Sequence, residues 1–531
     1  MRIHGSSKAI VPIYPSSQLV SETPRGERAR FGGKIRGLAL LGWATVALSA
    51  GCSQTTDSPV GSDAGAGPSS AGSGAGGGSG GGGQGGTSSG GTSVGVGGSG
   101  GNAAGGSGSG NCSSSSGAQG PVQAGSGQTG NADSGAEAGA SPGGGGDAAV
   151  FAGGDGAAFP DAAAALGMCT APANAKVSDA QAAYAKWKTD LVTSSGAAGF
   201  RRVLRPNSVG AIDTSNSEGI AYGMLLAVAM NDESLFDDLW HYEQLFLDGN
   251  GLMNWEINPG GTAPTSEGSG AATDADEDMA FALLWADHRW GGKGALGDTY
   301  RNFALKQIDA IWQHEVDQSR GNALAPGDQF NGAAVLNISY FAPAYYRLFG
   351  QANGKQSDWN KVVESSYTIV AATLTAANMN ASNGLVPAWS TPAGVPQSPN
   401  GVLPTNHQLD SCRTPFRLGQ DFCWYNEPRA KSYLAKISAF YQQIGASHIV
   451  NGYNLDGTPN PTNPTVNQSA AFVGPAAVGA MSDPMFAMLR DQAYAGVATL
   501  KELDGSTYYT ESWTALSLVM MNGGYWNPSL P

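Results

Sequence analysis

Of the 80 glycines in this 531-residue chain, 39 fall between Gly61 and Pro160, a stretch that contains no Lys, Arg, Trp or Tyr. Such a segment cannot bury enough apolar surface to offset the entropy of ordering it, so it cannot contribute a packed core. Residues 53–165 therefore read as a disordered Gly/Ser/Ala-rich linker, with Asp and Glu as its only charges. Its Gly-x-Ser-x-Gly matches, such as Gly77 to Gly81, lack the strand and helix that a nucleophile elbow needs. Whatever folds must come after it. Residues 170–531 hold every Trp except Trp43 and every Tyr except Tyr14. That is one core-forming domain of about 360 residues, large for a single unit.

Residues 1–52 have a different logic. Arg25, Arg28, Arg30, Lys34 and Arg36 precede an apolar run from Leu38 to Leu48, and the small residues Ser49, Ala50 and Gly51 then lead to Cys52. A basic region, a short apolar core and a small-residue site make a secretory signal. The run is too short for a membrane span. Leu48-Ser-Ala-Gly-Cys52 resembles a bacterial lipoprotein box, which implies lipidation at Cys52 and a protein held at the outer surface or in the periplasm. Ordinary cleavage would instead release it. Contact with a membrane is expected only through that anchor.

Beyond Cys52, four cysteines remain: Cys112, Cys169, Cys412 and Cys423. If Cys412 and Cys423 share one straight helix, they stand about 16 Å apart, too far for a disulfide. Cys169 is then expected to pair with one of them, unless no pair forms.

Within residues 170–531, apolar residues recur at three and four over Asp179–Leu191, Glu218–Ala229, Asp278–Trp290 and Arg429–Ile444. That spacing predicts helices. Loops rich in Gly, Asn and Pro separate them, and alternating strand patterns are scarce. An all-α domain of stacked helical hairpins follows, either a closed ring or a solenoid. No short repeat recurs at the periods of the common solenoids.

Three acidic loci stand out. In Ser215-Asn-Ser-Glu218-Gly, Ser217 is a candidate helix cap and Glu218 falls in the first turn. The bland role for such an acid is to complement the helix dipole. The segment Thr273-Asp274-Ala-Asp276-Glu277-Asp278 packs four acids into five residues, more than a helix start requires. It fails as a calcium loop, because Met279 and Trp285 stand where an EF-hand needs Gly and Glu. With Thr273 as cap, Asp276, Glu277 and Asp278 read as structural, and Asp274 as the chemical candidate in the loop ahead of the helix. In Asp410-Ser-Cys-Arg413-Thr-Pro415-Phe-Arg417, Pro415 suits a first helical turn and puts Asp410 just before it. Nearby Arg413 and Arg417 would keep that carboxylate ionised, although a surface ion pair is the plainer alternative.

A 13% charged fraction and a net charge of −14 argue against a nucleic-acid partner. His4, His241, His288, His314, His407 and His448 form no metal-ligand spacing, and no motif calls for a cofactor. Separated acids, many aromatics and no cofactor motif point to carboxylate-pair hydrolysis of a sugar polymer.

At this point the residues resemble glycoside hydrolase family 8 over essentially the whole domain. The segments, in family order, are Ser217-Glu-Gly-Ile-Ala-Tyr-Gly-Met, Gly251-Leu-Met-Asn-Trp255, Ala272 to Ala280, Asn337-Ile-Ser-Tyr-Phe-Ala-Pro343, Leu409 to Arg417 and Ala471-Phe-Val-Gly-Pro475. The resemblance implies an (α/α)6 barrel and an inverting endo-β-1,4-glucanase similar to clostridial cellulases. It needs no cofactor, works on a β-linked polysaccharide and is expected to be a monomer. Glu218 matches the family's general acid, Asp410 the general base, and Asp274 the Asp that contacts and helps distort the sugar at the cleavage point. Tyr340 and Arg413 match residues lining that site, with Arg413 beside the base, and Trp255 an aromatic near the cleft. Xylanases and mixed-linkage β-glucanases share the barrel. Phe330 stands where related cellulases carry a stacking Trp, which costs about 1 kcal/mol of ring contact. The Thr414-Pro415-Phe416 stretch also differs from the closest cellulases. An inverting pair is expected to leave about 6.5–9.5 Å between its carboxyl groups.

Overall fold

The computed structural model describes residue 159 and residues 162–208, 210–462, 468–499 and 508–529. The N-terminal stretch read as an export signal, Cys52, Cys112 and nearly all of the stretch read as a linker lie outside those residues. The described chain begins with a short helix, α1 (Ala162–Leu166), followed by twelve longer ones. These are α2 (Val177–Leu191), α3 (Ser217–Ala229), α4 (Glu233–Gln244), α5 (Thr273–Arg289), α6 (Tyr300–His314), α7 (Pro343–Asn353), α8 (Gln356–Thr373), α9 (Thr414–Tyr425), α10 (Pro428–Ile444), α11 (Ala470–Ala480), α12 (Ala487–Thr499) and α13 (Tyr508–Met521).

Two kinds of helix alternate along the chain. Helices α3, α5, α7, α9, α11 and α13 are mostly buried; in α3 every residue but Glu218 is, and in α11 all of them are. A helix apolar on all sides has to be surrounded. Helices α2, α4, α6, α8, α10 and α12 bury only a stripe, such as Leu235, Phe236, Leu239 and Trp240 of α4. They form the outer layer.

The pairing follows from that contrast. Each outer helix packs on the inner helix before it in the chain: α4 on α3, α6 on α5, α8 on α7, α10 on α9 and α12 on α11. The inner helices contact their successors in order, and α13 packs against α3, which closes the ring. The remaining outer helix, α2, lies on α13, so the last hairpin joins the two ends of the domain. This is the closed (α/α)6 barrel, not the solenoid. Glycine sets the packing distance at one point in α3. A Cβ on Gly223 would stand 2.6 Å from Leu239 Cδ1 and 3.0 Å from Trp187 Cη2.

The ordered domain extends upstream of Thr170. Ala165 and Leu166 are buried, the Met168 amide donates to the Cys423 carbonyl at 2.9 Å, and Thr170 donates to Met481. A disulfide joins Cys169 to Cys423 near the C-terminal end of α9. Cys412 lies ahead of α9 as a buried free thiol, whose Sγ is 3.7 Å from the Tyr509 hydroxyl. Burial pushes that thiol up to about 12.

Candidate active site

The site is built at the N-terminal ends of the inner helices. Glu218 is the second residue of α3 and Asp274 the second of α5, while Tyr508 opens α13. Tyr340 sits just before α7, and Asp410 and Arg413 just before α9. Short antiparallel pairs draw the connecting loops over this end. Ser215–Asn216 pairs with Glu256–Ile257, and Leu336–Asn337 with Trp389–Ser390.

Two local expectations change here. Asn216, not Ser217, caps α3, accepting from the Gly219 amide at 3.0 Å. Asp274 lies inside α5 rather than in the loop before it. Thr273 does not cap, because its hydroxyl is committed to the Glu315 carboxyl and the Ala325 carbonyl, both at 2.8 Å. The helix therefore starts at Thr273, and Asp274 meets the dipole of the first turn.

Glu218 has three donors. Tyr508 Oη reaches Oε1 at 2.7 Å; Tyr222 Oη and Arg413 Nη1 reach Oε2 at 3.1 Å and 2.8 Å. The glycine after it makes room for this arrangement, since a Cβ on Gly219 would lie 3.0 Å from Tyr508 Cε2 and 2.9 Å from Asn216 Oδ1. Its carboxyl is the least enclosed of the three, at 13% side-chain exposure against 4% for Asp274. Asp274 takes a hydrogen bond from the same Arg413 Nη1. Burial pushes Asp274 up to about 7, with Arg413 working against the rise and the Glu218 charge adding to it.

Arg413 thus turns its Nη1 to Glu218 and Asp274 rather than to Asp410, beside which it was expected. Its Nε donates to Ser339 Oγ at 3.0 Å, and its guanidinium lies 4.9 Å from the Tyr340 ring centroid. Arg417 is also turned away from Asp410: it holds Asp278 through two hydrogen bonds of 2.5 and 2.8 Å. Asp410, 1% exposed, is held instead by neutral donors, Trp389 Nε1 at 3.3 Å and Gln408 Nε2 at 3.1 Å, both on Oδ2. The Gln408 side-chain oxygen accepts from the Asp410 amide, fixing the backbone as well. The reason is positional: three and seven residues past Asp410, Arg413 and Arg417 already lie at and inside the helix, which aims them across the barrel.

The other acids of the second locus are structural, as read from the sequence. Asp278 pairs with Arg417, Glu277 accepts from Tyr346 Oη at 3.0 Å, and Asp276 from Gln307 Nε2 at 3.1 Å. All three are buried. Trp255 and Phe330 come together with Ala272 in a small apolar cluster of their own. Trp255 is 4% exposed and its Nε1 donates to the Glu267 carbonyl at 2.7 Å. Phe330 is partly buried and packs against Trp255.

Four contributors escaped sequence reasoning: Trp389, Gln408, Ser339 and Tyr508. Ser339 and Gln408 lay in or beside quoted motifs, but nothing in their spacing marks them as partners. Tyr508 stands 290 residues from Glu218, and only ring closure brings them together.

A closed ring of helical hairpins that gathers carboxyls, a guanidinium and tyrosines at one end has the parts of a glycoside hydrolase. The family model for glycosyl hydrolases family 8 matches residues 159–523. Endoglucanase A of Acetivibrio thermocellus is 37% identical over 351 residues, covering 66% of this chain and 70% of that protein. Endoglucanase 2 of Ruminiclostridium josui is 37% identical over 346 residues, covering 65% and 71%. Among solved structures, the β-1,3-1,4-glucanase of Paenibacillus sp. X4 superposes with a TM-score of 0.60 at 26% identity, covering 68% of this chain and 96% of that one. The chain belongs to glycosyl hydrolases family 8.

Proposed function

We propose that this glycoside hydrolase is an endo-β-1,4-glucanase that cleaves internal bonds of its polysaccharide with inversion. The observation that carries the reading is the sharing of one Arg413 nitrogen by Glu218 and Asp274, while Asp410 stands three residues before that arginine on neutral donors. Glu218 is the general acid. It passes its proton to the leaving oxygen as the glycosidic bond breaks, held in position by Tyr508 and Tyr222. Asp410 is the general base. Trp389 and Gln408 occupy its Oδ2, so Oδ1 is the oxygen left to take a proton from the attacking water. Water adds at the anomeric carbon from the face opposite the leaving group, and the product is the α-anomer. Asp274 contacts the sugar at the cleavage point, and Tyr340 lines that position beneath Arg413. Trp255 and Phe330 supply an apolar wall to the cleft.

The endoglucanase names of the Acetivibrio thermocellus and Ruminiclostridium josui relatives support internal cleavage of a glucan, and the β-1,4 linkage follows the resemblance to cellulases. A mixed-linkage β-glucan is the second reading, favoured by the solved β-1,3-1,4-glucanase. The signal-like N-terminus supports export, with Cys52 as a lipid attachment site. Labelling with a fatty-acid analogue in cells, lost in Cys52→Ala, tests that part.

The experiment for the reaction is proton NMR of freshly added cellopentaose with the full chain. Initial appearance of the α-anomer is the expected result. Initial β-anomer would overturn inversion. No cleavage of cellopentaose, with turnover of mixed-linkage glucan or xylopentaose instead, would move the substrate while leaving the acid and base in place.

A further inference from the structure

Directly across the short strand pair from Asn216 lies Glu256, an acid that the proposed chemistry does not use. It is 6% exposed, and its partner Arg205 is 2% exposed. Arg205 Nη2 donates to Glu256 Oε1, and Thr265 Oγ1 donates to Oε2 at 2.8 Å. The remaining reach of the guanidinium goes to Thr214 Oγ1, from Nη2 at 2.7 Å and Nε at 3.0 Å. Arg205 therefore ties together the strand that leads into α3 and the strand that pairs with it.

That junction is where Glu218 receives its position. Asn216 opposes Glu256 and caps α3, and the Ser217 amide donates to the Trp255 carbonyl at 2.9 Å. Glu218 is the next residue. A buried ion pair is weak evidence for stability, because desolvation of both charges offsets much of their attraction. Its geometric effect is the stronger reason to have it: the planar guanidinium reaches Glu256 through Nη2 and Thr214 through Nη2 and Nε, which fixes direction as well as distance. Small misplacements of a catalytic group cost rate even when the fold is intact.

We infer that Arg205 and Glu256 form a positioning pair for Glu218, holding the start of α3 so that its carboxyl faces the leaving oxygen. The inference rests on the reading of Glu218 as general acid. It concerns proton delivery alone, which gives it a distinctive test. A substrate whose leaving group departs without a proton has no need of a well-placed acid.

The test replaces both partners with apolar residues of similar size, Arg205→Met with Glu256→Leu, so that no buried charge is left unpaired. Initial rates are measured on cellopentaose and on 2,4-dinitrophenyl β-cellotrioside, with near-UV circular dichroism as the fold control. The expected result is a fall of at least about tenfold in kcat on cellopentaose, with the aryl glycoside cleaved within about twofold of the unmodified protein's rate. Equal slowing on both substrates would overturn the inference, because it would mean a general disturbance of the cleft. Unchanged rates on both would overturn it as well. Should the double variant fail to fold, Arg205→Gln with Glu256→Gln carries the same comparison, again with no buried charge left unpaired. Glu218→Gln is run in parallel: full activity there on cellopentaose would dismiss Glu218 as the acid, whatever Arg205 and Glu256 do.

Discussion

Arg413 Nη1 donates to Glu218 Oε2 at 2.8 Å, across 195 residues of sequence. The same nitrogen serves Asp274, while Nε holds Ser339. Lysine carries the charge but lacks the rigid fork. Arg413→Lys is expected to lower kcat on cellopentaose by about a hundredfold, because one ammonium cannot keep both carboxyls and Ser339 in place. Steady-state kinetics beside a thermal melt checks this: a rate loss with no larger change in melting temperature than other buried substitutions produce is the expected pattern.

Trp389 offers a milder perturbation on the other side of the site. Trp389→Phe keeps a ring beside Tyr340, whose centroid is 6.5 Å away, and removes the donor to Asp410 Oδ2. Gln408 still holds the carboxylate. A fall in kcat of about tenfold is expected, with KM nearly unchanged. A larger rise in KM than fall in kcat would show that the indole serves sugar binding instead.

Glu243 makes stability fall as pH rises from the acid range toward about 8. It is fully buried, and burial pushes it up to about 8, with only the Gln244 amide opposing the rise. In the unfolded chain the same group releases its proton near pH 4.3. Its favourable neutral form is therefore fully available below about pH 4.3 and is lost progressively as pH rises toward about 8. Glu243→Gln cannot ionise. Its stability is expected to fall less than that of the unmodified protein over this window, by as much as about 4 kcal/mol. Urea melts at pH 5 and about pH 8 measure the difference; parallel curves for the two proteins would refute the assignment.

The disulfide between Cys169 and Cys423 spans 254 residues of chain. Closing so long a loop restricts the unfolded ensemble, so Cys169→Ser with Cys423→Ser is expected to cost about 2–5 kcal/mol of stability. The bond lies near the far end of α9 from Asp410 and Arg413. Turnover on cellopentaose at 25 °C should be unaffected. A melt and a kcat measurement on the same sample separate the two effects.

The sequence was most informative where one helix carried the whole signal. The apolar periodicities of Asp179–Leu191 and Arg429–Ile444 correspond to α2 and α10. The crowded acids after Thr273 marked α5, and the structural part assigned to Asp276, Glu277 and Asp278 agrees with their buried partners. Direction across the barrel was not legible. Proximity in sequence suggested that Arg413 and Arg417 serve Asp410, yet helical geometry sends both elsewhere. Nor could spacing reveal Trp389 or Tyr508, whose contacts depend on which loops a closed ring brings side by side. The capping side chains were misassigned by a single residue at Ser217, because Ser and Asn both cap well and stand adjacent.

The ring closes only when α13 docks on α3, and α13 begins with the tyrosine that holds the Glu218 carboxyl. During synthesis, Glu218, Asp274, Asp410 and eleven of the twelve described ring helices all emerge before Tyr508 does. A nascent chain can therefore present Glu218, Asp274 and Asp410 and still lack the hydroxyl that donates to Glu218 Oε1.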